Sequence, residues 1–530
     1  MLLNNTIFTN FYFFRLPEKV NNRWITFIEK HHQLMWIPNC TQLGVRVFYN
    51  LGIMLPFLFC DCVFRLPEND CGMLFDLNRY SFNSFLNESS YLVKLALPMM
   101  LASIAAVGVG VVDTVMAGGA GKENLTVVAL GSALFNTVFI TLIGVMTALN
   151  PVIAQMHGAG ETTKVGEVGR QGLWFGLFIG VFGLVLMLGL IAPLKNYLTF
   201  SAHLENMLGD FVFYTALAMP AAMLHRALHA YAASLNRPNP IMWVSWGGLV
   251  LSIPVNYVLI YGKLGLPAMG GAGCGLTTLI VFIFNAIALA FYIWREPYFD
   301  KFALFSQWCL PNKTTQKQFW QIGWPIGGSY FLEASLFTSI VWLLAPLGEE
   351  NVSAQQVVMS ITSVIYMIPQ SIGTAATVRI GFSIGKRQFA RARYVSGVGL
   401  TLGLSLAMCT MLFLSLARFP LVQLYTDDQL IIALASSIIL FAAVFQLVDF
   451  TQCIASYALR GYKVTRMPML IHAIAFWLCG LIPGYLLSYH FKMGIYGFWT
   501  ALVLSLSFAA MALVWYLEKC SKFAMLRGGI

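Results

Sequence analysis

From Tyr91 onward the chain breaks into twelve apolar stretches, each close to the length of about 20 residues that an α-helix needs to cross a bilayer. The stretches lack the alternation of strands and far exceed strand length. They therefore predict helices, which satisfy their own backbone hydrogen bonds in lipid. The first is expected over 91–117, the fourth over 206–229, the eighth over 353–378 and the last over 495–517. Composition agrees: 58% of the 530 residues are hydrophobic and 10% charged, against about 25% charged in a soluble domain. A soluble enzyme, a disulfide scaffold and a disordered chain are all excluded. The expected class is an all-α polytopic membrane protein.

Lys and Arg are divided unequally between the two sides of the membrane. The even-side connections and the tail carry 19 of them, from Lys164 and Arg170 to Lys519, Lys522 and Arg527. The odd-side connections carry 5: Lys122, Lys195, Lys263, Arg418 and Lys492. The positive-inside rule places the basic side, and with it both termini, in the cytoplasm. The expected location is the plasma membrane, or the inner membrane of a Gram-negative cell. The same distribution explains the net charge of +10 without nucleic acid as a partner. The ten cysteines show no zinc-ligand spacing and read as small apolar residues.

The chain also repeats itself. Pro98 and Pro325, Gly158 and Gly385, and Lys164 and Arg391 all stand 227 residues apart. Later the offset becomes 224, for Leu235 and Leu459, Met269 and Met493, and Gly273 and Gly497. This predicts two parallel six-helix lobes, a transporter layout with the substrate site between them. The expected divisions are an extension over 1–90, one lobe over 91–300, a cytoplasmic linker over 301–317, a second lobe over 318–518 and a cytoplasmic tail over 519–530. The extension holds an interrupted apolar run, Leu51–Phe64, and repeats Phe-Arg-Leu-Pro-Glu at 14–18 and 64–68. Two readings stand for it: a genuine cytoplasmic extension, or a translation start placed too early, with Met73 the alternative.

Three carboxylates lie well inside apolar runs: Asp113, Glu333 and Asp449. A charged acid near the bilayer centre costs roughly 2.5–3.5 kcal/mol on insertion scales, and the one basic residue in these runs, Lys94, stands at the opposite end of its run from Asp113. Each is expected to face a polar cavity, hold a proton or hold a cation. The alternative is hydrogen bonding to a neighbouring helix for packing alone. Asn256, Thr278, Gln356 and Phe445 are expected as further cation- or substrate-lining positions, and Pro254 and Pro369 as helix interruptions. His225 and His229 are expected at the cytoplasmic end of the fourth span, in an interfacial role. No Walker loop, zinc signature or nucleophile arrangement occurs, which argues against ATP-driven transport and membrane enzymology.

Several of these segments resemble the multidrug and toxic compound extrusion (MATE) family in its NorM-like branch. They are Val112-Asp113-Thr114-Val115-Met116-Ala117-Gly118, Asn150-Pro151-Val152-Ile153-Ala154-Gln155 and Gly270-Gly271-Ala272-Gly273-Cys274-Gly275. Phe331-Leu332-Glu333, Ala345-Pro346-Leu347-Gly348 and Leu459-Arg460-Gly461-Tyr462 follow in the same order. The resemblance covers roughly residues 88–518. It implies a twelve-helix antiporter, acting as a monomer without a cofactor, that exports bulky, often cationic and aromatic compounds against Na⁺ or H⁺. By the resemblance, Asp113 is the cation-linked acid of the first lobe, and Glu333 with Asp449 the pair associated with Na⁺ in the second. Asn256 matches one asparagine of the fifth span, while Ser252 stands where another is usual and Phe445 where a tyrosine often stands. Each departure removes an oxygen that could bind a cation, so Na⁺ and H⁺ both stay open. The runner-up reading is a lipid-linked precursor flippase of the same superfamily, which would need a basic cavity. A membrane enzyme or receptor is more remote.

Overall fold

The computed structural model describes residues 82–528, apart from 198–200 and 308. The extension's apolar run, its repeated pentapeptide and Met73 lie outside the described residues. Among the described residues, twelve helices are long and apolar enough to cross a membrane. They are α1 (Phe82–Gly119), α2 (Lys122–Gly158), α3 (Thr162–Ile191), α4 (His203–Ser234), α5 (Asn239–Tyr261) and α6 (Gly271–Arg295), then α7 (Lys313–Leu347), α8 (Glu349–Gly385), α9 (Phe389–Gln423), α10 (Gln429–Gly461), α11 (Arg466–His490) and α12 (Ile495–Leu526). No strand occurs among the described residues.

Several helices outrun the apolar stretches that announce them. Helix α1 begins at Phe82 rather than Tyr91, α4 runs on to Ser234, and α8 reaches Gly385. Helix α12 continues to Gly528, through the residues expected as a tail. Hydropathy registers only the hydrocarbon core, whereas a helix can also cross the headgroup layer on either side. Polar ends are fixed by side-chain caps. Asp428 accepts from the amide of Leu430 at 2.8 Å ahead of α10, and Asn312 accepts from that of Thr314 at 2.9 Å ahead of α7.

The two sets of six helices repeat one pairing scheme. In the first, α1 packs on α5, α5 on α6, α6 on α4, and α4 on α3 and α2; in the second, α7 packs on α11, α11 on α12, α12 on α10, and α10 on α9 and α8. Helices α4 and α10 are thus the inner ones. From Phe441 to Gly461 nearly every residue of α10 is buried, so a polar group there meets protein rather than lipid. Apolar side chains such as Val115, Trp243, Ile287, Trp342 and Leu416 are exposed, as a lipid-facing surface requires.

The sets meet through α1 against α8, α2 against α7, and the second part of α2 against α8. A methyl group on Gly158 would overlap the carbonyl of Phe382, and one on Gly385 would overlap that of Gln155. These two contacts exchange under the 227-residue offset, as a two-fold relation between the sets demands. Close backbone approach through small residues is how membrane helices pack without a hydrophobic driving force. Glu88 of α1 adds a buried ion pair with Arg379 of α8, Nε to Oε1 at 2.6 Å and Nη2 to Oε2 at 3.2 Å. The linker lies on α3, where Gln171 accepts from the amide of Asn312 at 2.7 Å and donates to the carbonyl of Leu310 at 2.8 Å.

Candidate functional site

The three acids occupy two places. Asp113 on α1 is 7% exposed and accepts a hydrogen bond from Asn256 Nδ2 of α5 at 2.6 Å. Asn256 is fully buried, and its own Oδ1 has no partner. The Cys274 thiol of α6 approaches the Asp113 carbonyl at 3.8 Å, so three helices of the first set enclose this carboxylate. Thr278, one turn along α6, donates to the Cys274 carbonyl of its own helix at 3.0 Å. Ser252 does the same toward Leu249 on α5 at 2.7 Å. These two hydroxyls satisfy themselves locally, while Asn256 alone reaches across to the acid.

In the second set, Asp449 of α10 is 4% exposed and accepts from Gln452 Nε2 at 3.1 Å. Gln452 in turn meets His472 Nε2 of α11 at 3.1 Å through its Oε1. Because the Gln452 amide nitrogen donates to Asp449, its oxygen must accept, which assigns the proton of His472 to Nε2. His472 is buried and stacks on Phe476 with centroids 5.2 Å apart, which fixes the ring. The relay His472–Gln452–Asp449 joins α11 to α10 and has no sequence spacing to announce it.

Glu333 of α7 is half-buried, and it finds no hydrogen-bond donor among the described residues. It lies within electrostatic range of Asp449 and of Arg460. Tyr366 of α8 also lies within electrostatic range of it and accepts from the Cys453 thiol at 3.9 Å. Four helices, α7, α8, α10 and α11, therefore contribute two carboxylates, a phenol, a thiol, an amide and an imidazole to this region. None of the three acids forms an ion pair among the described residues.

Toward the junction of the two sets, Arg460 of α10 donates to Tyr330 Oη at 3.3 Å and lies 3.8 Å above the centre of the Tyr457 ring. The Tyr330 and Tyr457 hydroxyls are hydrogen-bonded to each other. Thr377 donates to the Tyr457 carbonyl at 2.6 Å, and Gln155 of the first set donates to the Gly461 carbonyl at 3.0 Å. Arg226 of α4 lies within electrostatic range of the same two tyrosines. His225 is buried with neither ring nitrogen hydrogen-bonded. The interfacial place expected for it is therefore corrected: α4 continues past 229 to Ser234, a little over one further turn, and His225 is buried within the bundle.

The remaining expected positions separate. Phe445 is buried one turn before Asp449 and packs edge-on against Trp499 at 5.8 Å. Gln356 is exposed, and its neighbour Gln355 is the buried one, accepting from Trp499 Nε1 at 2.8 Å. Pro254 and Pro369 lie inside continuous α5 and α8. In the described residues no three His, Cys, Asp or Glu side chains converge on a metal-binding point. A cation at Glu333 and Asp449 would have to complete its shell with neutral oxygens.

The sequence model of the MatE family matches twice, over residues 98–258 and 325–486. The chain belongs to that family. The two matches start at the prolines that open the repeat. The chain is 61% identical over 450 residues to the probable multidrug resistance protein NorM of Neisseria meningitidis, covering 85% of this chain and 98% of that one. It is 36% identical to the multidrug resistance protein PmpM of Pseudomonas aeruginosa, covering 80% of this chain and 90% of the other. Among solved structures it is similar to the MATE transporter NorM-NG, determined in a complex that includes a monobody. That match has a TM-score of 0.72, 55% identity, and coverage of 82% of this chain and 95% of that one. This MatE member is a multi-pass membrane transporter for multidrug efflux, not an enzyme.

Proposed function

We propose that the transporter is a secondary active exporter in which Glu333 and Asp449 carry the coupling cation, with the six-helix lobes rocking about the junction of α1, α2, α7 and α8. The observation that carries this reading is the placement of the pair: a buried Asp449 within electrostatic range of a half-buried Glu333, with no basic partner bonded to either. Two neighbouring carboxylates in a low-dielectric site cannot both stay charged without a counter-charge, and a proton or Na⁺ supplies it. Tyr366 and Gln452 offer the neutral oxygens that a sodium shell would need. Asp113 with Asn256 forms a second acid site in the other lobe. The substrates are bulky, often cationic and aromatic compounds.

The lobes are closed at the end that carries Lys386, Arg387, Arg391 and Arg393. By the positive-inside argument that end faces the cytoplasm, which supports an outward-facing arrangement with both termini inside and a monomer in the plasma or inner membrane. Drug and cation then favour opposite lobe arrangements, and coupling requires only that difference in affinity. An inward-negative potential contributes about 2.3 kcal/mol per charge per 100 mV.

Dye uptake into everted vesicles, which reads out export from the cytoplasmic face, under separate Na⁺ and H⁺ gradients tests the reading. Export driven by one of these gradients and lost in Glu333→Gln is expected. Undiminished gradient-driven export by Glu333→Gln and Asp449→Asn together would sink it.

A further inference from the structure

Where α1 begins, beside the turn between α8 and α9, an open-sided cavity of about 740 Å³ is lined by Ser84, Asn87, Glu88, Arg387, Gln388 and Arg391, among others. The 227-residue repeat supplies an internal control for it. In the first lobe the matching turn reads Gly160, Glu161, Lys164 and Glu167; in the second it reads Arg387, Gln388, Arg391 and Tyr394. Both carboxylates have been replaced, and a glycine has become an arginine. That arginine keeps the left-handed backbone of its counterpart, φ 59° against 77° for Gly160, a conformation that an L side chain disfavours.

The two turns also differ in cover. In the first lobe the linker lies on the surface: the Phe302 carbonyl sits against Gly166, and Arg170 donates to the Ala303 carbonyl at 2.6 Å. In the second lobe the Gly166 counterpart is Arg393, buried against Glu518 at 2.6 Å, and among the described residues nothing closes the cavity. Glu88 spends its charge on Arg379 at 2.6 Å and reaches Arg391 only at 3.4 Å, with the Arg391 side chain 48% exposed. Arg387 and most of Arg391 are thus available to a ligand. The cavity lies at the ends of membrane-crossing helices, flanked by exposed apolar side chains: Phe82 and Leu86 on α1, and Leu526 on α12.

We propose that this cavity binds a phosphate-bearing anion, the headgroup of an anionic phospholipid, between Arg387 and Arg391, with its acyl chains along Phe82, Leu86 and Leu526. The phosphate oxygens would share Arg391 with Glu88 and so act on the contact between the lobes.

The full chain, purified and stripped of lipid, is titrated with phosphatidylglycerol or phosphatidylcholine and bound lipid is counted by native mass spectrometry. Phosphatidylglycerol should bind in preference, and Arg387→Gln with Arg391→Gln should weaken it roughly tenfold or more, since each basic side chain near a lipid surface contributes on this scale. Lys164→Gln, at the matching turn of the first lobe, should leave it unchanged. The pair Arg387→Lys with Arg391→Lys retains charge and should retain most binding, which separates lost charge from lost fold. Equal binding of the two lipids, or wild-type binding in the double glutamine variant, overturns the proposal. Inorganic phosphate distinguishes the source: binding of phosphate alone as tight as that of the lipid would make this a free-phosphate site and the lipid assignment wrong.

Discussion

Glu88 and Arg379 form a two-pronged ion pair, buried on both sides, between the first helix of one lobe and the second helix of the other. Arg379 also lies 4.2 Å from the centre of the Tyr91 ring, so its guanidinium is held from two directions by α1. The contact is a latch on the closed end.

Glu88→Ala should therefore destabilise that end strongly. Removing one member of a buried pair leaves the other charge unpaired, at about 3–5 kcal/mol. The melting temperature in detergent should fall, and cysteines placed at Gln155 or Phe382 should become more reactive from the basic side. Glu88→Leu with Arg379→Met removes both charges and should recover most of the stability. Unchanged melting and unchanged reactivity in Glu88→Ala would show that the pair holds nothing.

Closure itself can be blocked at a glycine. Gly385→Val should abolish export, because its side chain would occupy the place of the Gln155 carbonyl. Spin labels at Lys164 and Lys386 should report longer distances across the junction in that variant. Gly110 has open space where a Cβ would go, so Gly110→Ala should be neutral or slightly stabilising, since alanine is favoured over glycine in a helix by roughly 1 kcal/mol.

The acids of the second lobe should behave as one unit. Glu333→Gln and Asp449→Asn should each abolish gradient-driven export at matched expression, and the double variant should cost little more than either. Groups in one site are not additive, whereas independent sites add to within a few tenths of a kcal/mol. Fully additive losses in dye export would divide the pair into two separate roles.

Asp113 and Asn256 allow a test of a different kind. Asn256→Leu removes a 2.6 Å hydrogen bond; a bond to a charged group is worth about 1.5–3 kcal/mol. Thermal stability should drop accordingly, and the further change Asp113→Asn should restore part of it. If Asn256→Leu melts like the wild type, Asp113 is held by something other than this bond.

Much of this arrangement is written along the chain. Twelve runs of apolar residues can cross a bilayer only as helices, because lipid offers no partner to an open backbone. Asp113, Glu333 and Asp449 stand out because a carboxylate is rare in such a run, and that rarity does not depend on knowing what surrounds it. The repeat is legible for the same reason: Pro98 and Pro325, or Gly158 and Gly385, are local constraints on the backbone that survive when their neighbours change. The choice of Gln356 over Gln355 shows where such reading stops, since adjacent polar residues on a helix differ only in the face they occupy, which packing decides.

What the sequence by itself determined is therefore everything set by the solvent: the helical class, the number of spans and the acids that are out of place in apolar runs. Only the tertiary structure decided the partners. Glu88 falls in a polar stretch before the first apolar run and gives no hydropathy signal, yet it meets Arg379, 291 positions later in the chain. His472 and Gln452 look like ordinary polar residues in their helices until α11 packs near α10 and closes the relay to Asp449. Transfer from water to lipid is a property of each residue and adds along the chain, whereas a hydrogen bond or an ion pair exists only at contact distance and needs both helices in place.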